Sequence, residues 1–184
     1  MILGIDIDGP LYPFPAAMGR CFAEYTGTDP ALYADDSTYD LWRGWGVPEQ
    51  LFLESFAHGI KHGDVFLSQP PRPGSVEALS AARDLGWQIW LITARFLPGL
   101  EDKCHHDSLR WITEHQLPHD RLLMRTHKGV PGVDRMIDDR TQHLAEIEQV
   151  GGVGWLWRTN HNRSQAWPTS RQMTAWDQIY RVLA

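Results

Sequence analysis

Residues 2–9 read ILGIDIDG, and this stretch decides the fold. The run Ile2–Ile7 is short, apolar and rich in β-branched side chains, which predicts a buried strand that ends at Gly9. Two carboxylates, those of Asp6 and Asp8, therefore stand at the carboxyl end of the first strand. In an open parallel sheet that end is where ligands bind, so both are candidate site residues.

Beyond residue 74 the chain alternates between predicted strands and predicted helices. Strand patterns fall at residues 87–92, 121–124, 133–137 and 153–157. Helical patterns fall at residues 75–85, 107–116, 141–150 and 171–183. The segment WQIWLI (87–92) is apolar on both faces, as strands of parallel sheets are. Alternating units of this length predict an α/β fold built on a doubly wound parallel sheet.

Between the first strand and the proline-rich connector QPPRPG the pattern is helical. Apolar residues form two helical stripes, at 14–25 and 48–59, and no strand pattern is clear. We therefore predict a helical cap of residues 14–69, inserted after the first strand. The catalytic core then consists of residues 1–13 and 70–184.

Composition and charge argue against several classes of protein. At 184 residues the chain fits one domain with a modest insertion. Its net charge is -6 and it has no cluster of lysines and arginines, whereas proteins that bind long nucleic acids usually present a basic surface. A local basic groove stays open as a possibility.

No apolar run is long enough to cross a membrane, and residues 1–10 lack the features of a signal peptide. Because Cys21 and Cys104 are the only cysteines, we expect a cytoplasmic protein without a disulfide framework.

Polar side chains end several strands at one edge of the predicted sheet. They are Asp6 and Asp8 after the first strand, Thr93 after the second, Lys128 in the loop before the fourth, and Asp138 and Asp139 after the fourth. Carboxylates crowded together repel one another unless a cation lies among them. Because all the available ligands are oxygens, we expect Mg²⁺ rather than Zn²⁺.

This set of groups is the one that phosphoryl transfer needs. A metal ion and Lys128 can neutralise the phosphoryl oxygens, while Thr93 and backbone N–H groups hold them. One carboxylate can attack phosphorus in line, and a second, two residues further on, can protonate the leaving oxygen. Each motif alone is common in turns, helix N-termini or solvated loops. Their ordered occurrence after successive strands indicates a phosphohydrolase.

The same motifs, in the same order, resemble those of a known superfamily. DIDG (6–9), LITAR (91–95), Lys128 and MIDDR (136–140) resemble the four motifs of the haloacid dehalogenase superfamily and span nearly the whole core. The resemblance implies a Rossmann-type three-layer core, and the predicted insertion is similar to the small helical caps of nucleotidase members. It also implies a hydrolase, since the dehalogenase branch lacks a carboxylate at the position of Asp8.

The resemblance assigns a role to each motif residue. It implies that Asp6 is the nucleophile, that Asp8 is the general acid and then the general base, and that Thr93 binds the phosphate. It implies that Lys128 steadies the nucleophile and the phosphate. Mg²⁺ would be bound by Asp6, Asp138 and the backbone carbonyl of Asp8. Among the neighbouring motif residues, Gly9, Ala94 and Arg95 would contact the substrate, and Asp139 would support the site.

Two subgroups of the superfamily resemble this chain most. The pattern QPPRPG–helix–LITAR and the segment WRTNHN (157–162) resemble the 5′(3′)-deoxyribonucleotidases, and IDDRTQ (137–142) resembles the phosphatase domain of phage polynucleotide kinases. We expect the substrate to be a nucleoside monophosphate whose base is covered by aromatic residues of the cap, namely Phe14, Trp42 and Trp45. Two alternatives are a polynucleotide 3′-phosphatase and a non-enzymatic binding protein of the same fold. The acidity and the cap favour the nucleotidase, and binding alone does not need both Asp6 and Asp8.

Overall fold

The structure, a computed structural model, describes the backbone of residues 1–184 and every side chain except that of Asp64. Its strands are β1 (Ile2–Ile5), β2 (Gln88–Thr93), β3 (Arg121–Met124), β4 (Arg135–Asp138), β5 (Val153–Trp157) and β6 (Gln172–Met173). They form one parallel sheet in the order β3-β2-β1-β4-β5-β6. The strand order reverses between β1 and β4, so the topological switch point lies beside the end of β1.

Helices flank this sheet, and several of them lie in the chain between the first and second strands. They are α1 (Phe14–Thr26), α2 (Leu41–Gly44), α3 (Glu49–His62), α4 (Asp64–Leu67), α5 (Ser75–Asp84), α6 (Glu101–Glu114), α7 (Thr141–Gln149) and α8 (Ile179–Leu183). The first four lie between β1 and α5, and the others alternate with the later strands. The α/β fold with a doubly wound parallel sheet and a helical cap after the first strand is therefore confirmed. None of the described helices combines the length and the apolar character needed to cross a bilayer.

The central strand β1 is packed on both faces. Leu3 and Ile5 are fully buried, and Gly4 leaves room for a neighbour, since a Cβ atom there would come 2.7 Å from the sulfur of Met136. After β1 the chain turns back sharply, because the N–H groups of Leu11 and Tyr12 both donate to the carbonyl of Ile7, at 3.0 and 2.7 Å. The rigid strand and the tight turn fix the residues between them.

The cap helices share an apolar cluster that reaches the core. Its buried members are Met18, Phe22, Leu41, Ile60, Val65, Phe66 and Cys104. Cys104 belongs to α6, so the cap is anchored on that helix by packing. The boundaries at residues 14–69 stay a prediction.

Two predicted elements differ from the structure. The helix predicted at 107–116 begins at Glu101, where Glu101 and Asp102 in the first turn favour a helix N-terminus. The long helix predicted at 171–183 is wrong, because only Ile179–Leu183 is α-helical. Residues Gln172–Met173 instead pair with β5 as an edge strand, on the side of β5 that faces away from β4.

Candidate active site

An ionic centre forms where β1 and β4 lie side by side. The register pairs Ile5 with Ile137, which brings Asp6 and Asp138 next to each other at the strand ends. Between them lies the ammonium group of Lys128, 2.7 Å from Asp6 Oδ2 and 2.9 Å from Asp138 Oδ2. All three side chains are buried. One lysine therefore shares its charge between two carboxylates.

The backbone fixes both partners of the shorter ion pair. The N–H group of Lys128 donates to Glu146 Oε2 at 2.6 Å, which ties the loop after β3 to α7. Asp6 Oδ1 accepts a hydrogen bond from the N–H group of Ile7 at 2.7 Å, and the N–H group of Asp6 donates to the carbonyl of Ile137 at 2.9 Å. With one oxygen held by the backbone and the other by the ammonium, the orientation of the Asp6 carboxylate is set.

Burial and crowding shift the pKa values of the carboxyl groups. Burial raises the pKa of Asp6 to about 7; the charge of Lys128 opposes this shift, and neighbouring carboxylates reinforce it. Burial acts on Asp138 as well, but the charge of Lys128 and a 3.0 Å hydrogen bond from His143 Nδ1 outweigh it and lower the pKa of Asp138 to about 2. Burial, followed by the charge of Asp138, holds the pKa of Asp139 well above its usual value. The centre contains more acidic groups than one lysine can neutralise.

The residues of this centre fit a magnesium ion. Carboxylate oxygens of Asp6 and Asp138 and a ring nitrogen of His143 lie within 4.8 Å of one another. The charge of Asp138 raises the pKa of Asp6, and a cation between the two would relieve that repulsion. Carboxylate and carbonyl oxygens are the ligands that Mg²⁺ prefers. Asp6, Asp138 and the backbone carbonyl of Asp8 would hold the ion.

A buried arginine holds the second carboxylate of the DIDG motif. Arg95 Nε lies 3.1 Å from both oxygens of Asp8, and Arg95 Nη2 lies 2.8 Å from Asp8 Oδ1. Aromatic rings surround the guanidinium, whose central carbon is 4.6 Å from the ring centroid of Tyr12, 4.5 Å from that of Phe66 and 5.6 Å from that of Trp111. Its Nη1 atom is buried and has no hydrogen-bond partner among the described residues. Arg95 therefore has an unused donor beside the site.

The other residues of the LITAR motif take different positions. Thr93 is fully buried, and its hydroxyl oxygen accepts a hydrogen bond from the N–H group of Arg95 at 3.3 Å. Ala94 and Arg95 line the cavity above the ionic centre, whereas Thr93 is not part of its lining. The role of Thr93 as a phosphate ligand stays a prediction.

Gly9 and Asp139 pack directly against each other. Gly9 has a φ of +97°, and a Cβ atom at this position would overlap the carboxylate of Asp139, so only glycine fits. The carbonyl of Asp139 accepts a hydrogen bond from Asn162 Nδ2 at 2.8 Å, and its carboxylate lies 3.6 Å from His161 Nε2. These contacts hold Asp139 against the loop that follows Asp8.

A cavity of about 290 Å³ opens above the ionic centre. Its polar base includes Asp6, Asp8 and Lys128. The cap supplies an aromatic wall: Phe14, Tyr39, Trp42, Phe52, Phe56 and Phe66. The cavity thus combines charged groups for an anion with an apolar surface for an organic group.

The structure does not place Trp45 in this cavity. Its ring packs inside the cap against Tyr33 and Phe22, with centroid distances of 5.2 and 5.7 Å. Its indole N–H donates to the carbonyl of Asp35 at 2.8 Å. The prediction that Trp45 covers a base is therefore wrong, because its hydrogen bond and its packing hold it within the cap, while Trp42 and Phe14 do line the cavity.

Two polar contacts, here termed the cap bridges, join the loop before α2 to the strand ends. In the first, the guanidinium of Arg140 lies 4.0 Å from the ring centroid of Tyr39, and Nη1 donates to the tyrosine hydroxyl at 3.2 Å. In the second, Asn160 Nδ2 donates to Asp36 Oδ1 at 2.7 Å. The cap is therefore fastened to the strand ends by these polar contacts as well as by its packing on α6.

Known protein structures resemble this one over nearly the whole chain. No family model and no curated protein matches the chain. A putative haloacid dehalogenase-like hydrolase from Bacteroides fragilis matches with a TM-score of 0.66 and 16% identity, over 97% of this chain and 98% of that one. The chain has the haloacid dehalogenase-like fold.

Two further structures with this fold contain ligands. CbbY from Rhodobacter sphaeroides, in complex with phosphate, matches with a TM-score of 0.64 and 13% identity, over 97% of this chain and 95% of that one. The D,D-heptose 1.7-bisphosphate phosphatase from B. bronchiseptica, complexed with magnesium and phosphate, matches with a TM-score of 0.52 and 16% identity, over 99% of this chain and 97% of that one. At these identities the likeness establishes the haloacid dehalogenase-like fold alone.

Within this fold, the sequence prediction missed two residues of the centre. His143 lies on α7 and contacts Asp138, and its position in the first turn after the strand was the available signal. Asn162 is fully buried and donates to the carbonyls of Asp139 and Trp157, both at 2.8 Å. The segment 157–162 was singled out by sequence resemblance, but its pattern does not indicate this contact.

Proposed function

We propose that the protein is a magnesium-dependent phosphomonoester hydrolase that acts on nucleoside monophosphates through a phospho-aspartate at Asp6. The observation that carries this proposal is the oriented carboxylate of Asp6, 2.7 Å from the ammonium of Lys128, at the base of a cavity with an aromatic wall. The fold supports it, since structures with the same fold include a phosphatase complexed with magnesium and phosphate.

The reaction would begin with attack of an Asp6 oxygen on phosphorus, which breaks the bond between phosphorus and the ester oxygen. Asp8 would give a proton to that leaving oxygen. In the second half, Asp8 would take a proton from water, whose oxygen attacks the phospho-aspartate and releases inorganic phosphate. The pairing with Arg95 holds the Asp8 carboxylate at the cavity wall, which keeps it near both steps.

Lys128 and Arg95 would stabilise the charge of the phosphoryl group. Lys128 Nζ is already fixed beside the attacking carboxylate, and Arg95 Nη1 has a buried donor without a protein partner. Buried donors of this kind are worth more than solvated ones, because the surrounding dielectric is low. When bound, Mg²⁺ would neutralise the phosphoryl oxygens and offset the repulsion between Asp6 and Asp138.

The aromatic wall supports a nucleotide as the substrate. Aromatic side chains can stack on a base, and Trp42 and Phe14 line the cavity on the cap side. The cap bridges close the cavity at the side of Tyr39 and Arg140, and an enclosed site suits a small ester better than the end of a polymer.

A screen of phosphate release tests this function. Wild-type protein with MgCl₂ should release phosphate from deoxynucleoside monophosphates faster than from sugar phosphates or a 3′-phosphorylated oligonucleotide. Asp6→Asn should abolish release with little effect on folding, whereas Asp84→Asn, at an exposed position on α5, should retain it. Excess EDTA should stop the reaction. Turnover by Asp6→Asn at the wild-type rate would refute the mechanism, and a preference for the oligonucleotide would identify an end-processing phosphatase.

A further inference from the structure

A second opening next to the active-site cavity is lined by arginines. Its lining consists of Asp36, Arg72, Arg158, Thr159, Asn160 and Arg163. This arginine pocket has a volume of about 500 Å³ and is open to solvent. Among the described residues that line it, three carry a positive charge and Asp36 alone carries a negative one. Such a concentration is unexpected in a chain with a net charge of -6, and it favours an anionic ligand.

The arginine pocket borders the active-site cavity. Asn160 lines the pocket, while the next residue, His161, lines the cavity. Arg72 Nε donates to the carbonyl of Gly9, the residue that follows Asp8. Both residues of the second cap bridge, Asp36 and Asn160, line the arginine pocket. The pocket therefore adjoins the cavity through the contact between Arg72 and Gly9, which lines the cavity.

All three guanidinium groups are held in place by the protein. Arg163 Nη2 donates to Asn160 Oδ1. Arg158 Nη1 donates to the carbonyls of Asn162 and Gln165 at 2.7 and 3.0 Å, and its Nε donates to Gln172 Oε1 at 2.9 Å. Arg72 is fixed through Nε alone. Arg158 Nη2 and both terminal nitrogens of Arg72 make no hydrogen bond within the described part of the chain. Donors that are oriented in advance bind an anion with a smaller loss of conformational entropy.

We propose that the arginine pocket binds a second phosphate group of the substrate, one that is not hydrolysed, and that the preferred substrates are nucleoside bisphosphates. This rests on the proposed function of the Asp6 site. The planar fork of an arginine matches a phosphate with two parallel hydrogen bonds, and three arginines supply the charge for its two negative charges. Asp36, whose Oδ1 accepts a hydrogen bond from Asn160, offsets one of the three positive charges and leaves two to pair with the phosphate.

Binding measurements test the proposal without relying on turnover. The Asp6→Asn protein should bind thymidine 3′,5′-bisphosphate about tenfold more tightly by calorimetry than thymidine 3′- or 5′-monophosphate. In the Asp6→Asn protein, Arg163→Gln should reduce the ratio of the bisphosphate affinity to the monophosphate affinity about fivefold. Arg163→Glu should bring this ratio to about one. Arg83→Gln, an exposed arginine that pairs with Asp120, is the matched control and should leave the ratio unchanged. Because the contact is ionic, the ratio should also fall as salt is added.

Equal affinities for the bisphosphate and the monophosphates would overturn the proposal, as would a ratio that Arg163→Glu does not change. Tighter binding of a 3′-phosphorylated oligonucleotide than of the bisphosphate, lost with Arg163→Glu, would overturn the assignment to a small molecule. The proposed function fails separately, if wild-type protein with Mg²⁺ releases phosphate from no phosphomonoester while the Arg163-dependent binding persists.

Discussion

Replacing Lys128 by methionine removes the only ammonium group of the ionic centre and keeps most of its volume. The change leaves the carboxylates of Asp6 and Asp138 buried without the partner that lies 2.7 and 2.9 Å away. Removing one partner of a buried ion pair destabilises a protein by about 3–5 kcal/mol. For a chain of this length, that corresponds to a fall in the melting temperature of about 6–20 °C. Lys61→Met, at an exposed position on α3, should change it by about 2 °C or less.

Magnesium should restore part of the stability that Lys128→Met loses. A cation bound by Asp6 and Asp138 replaces the missing positive charge, so the melting temperature of Lys128→Met should rise more with 10-fold increases in MgCl₂ than that of the wild type. The double variant Lys128→Met/Asp138→Asn should be less destabilised than the sum of the two single variants. Calorimetric melting curves with and without MgCl₂ measure both effects. The buried ion-pair centre would be refuted if Lys128→Met melted at the wild-type temperature and if MgCl₂ did not change its melting temperature.

Three further predictions, which involve four variants, concern the cavity and its supports. Trp42→Ala should raise KM for a nucleoside monophosphate about fivefold or more, and raise KM for p-nitrophenyl phosphate less, because stacking on a base is worth about 1–3 kcal/mol. Trp45→Ala should instead lower the melting temperature and affect both substrates alike, since this ring packs inside the cap; equal KM effects of the two variants would contradict the assignment. Gly9→Ala should abolish phosphate release with the circular dichroism spectrum retained, because its Cβ would overlap Asp139. Asn162→Ala removes two buried hydrogen bonds and should lower the free energy of unfolding in urea by about 1–3 kcal/mol; an unchanged value would show that the contacts do not form.

The sequence predicted five of the six strands and the gathering of their polar ends at one edge of the sheet. Apolar runs bounded by glycine identify strands such as β1 and β5, and parallel strands bring their carboxyl ends to one edge. The sequence alone therefore predicts that Asp6, Asp138 and Lys128 lie together. The prediction of one long helix in the C-terminal region was wrong. Met173 and Trp176 have the spacing of one face of a helix, but both are buried, and their packing against the core determines their conformation.

Contacts between distant side chains could not be predicted from the sequence. The pairing of Arg95 with Asp8 depends on Tyr12, Phe66 and Trp111, which come together only in the folded chain. Composition likewise shows many tryptophans, but only packing distinguishes Trp42 in the cavity from Trp45 in the cap. Long-range packing of this kind leaves no periodic signal in the sequence.

The C-terminal region reaches back to the start of the chain at one point. The indole N–H of Trp176 donates to the carbonyl of Pro10 at 2.9 Å, and both groups are buried. Pro10 belongs to the turn that follows Asp8. The hydrogen bond that holds this turn therefore comes from a residue that the ribosome adds 166 positions later. A nascent chain that has emerged only as far as His143 already contains Asp6, Lys128 and Asp138. We therefore expect the proposed phosphate release to be absent until Trp176 docks on this turn, even though these three side chains are already present.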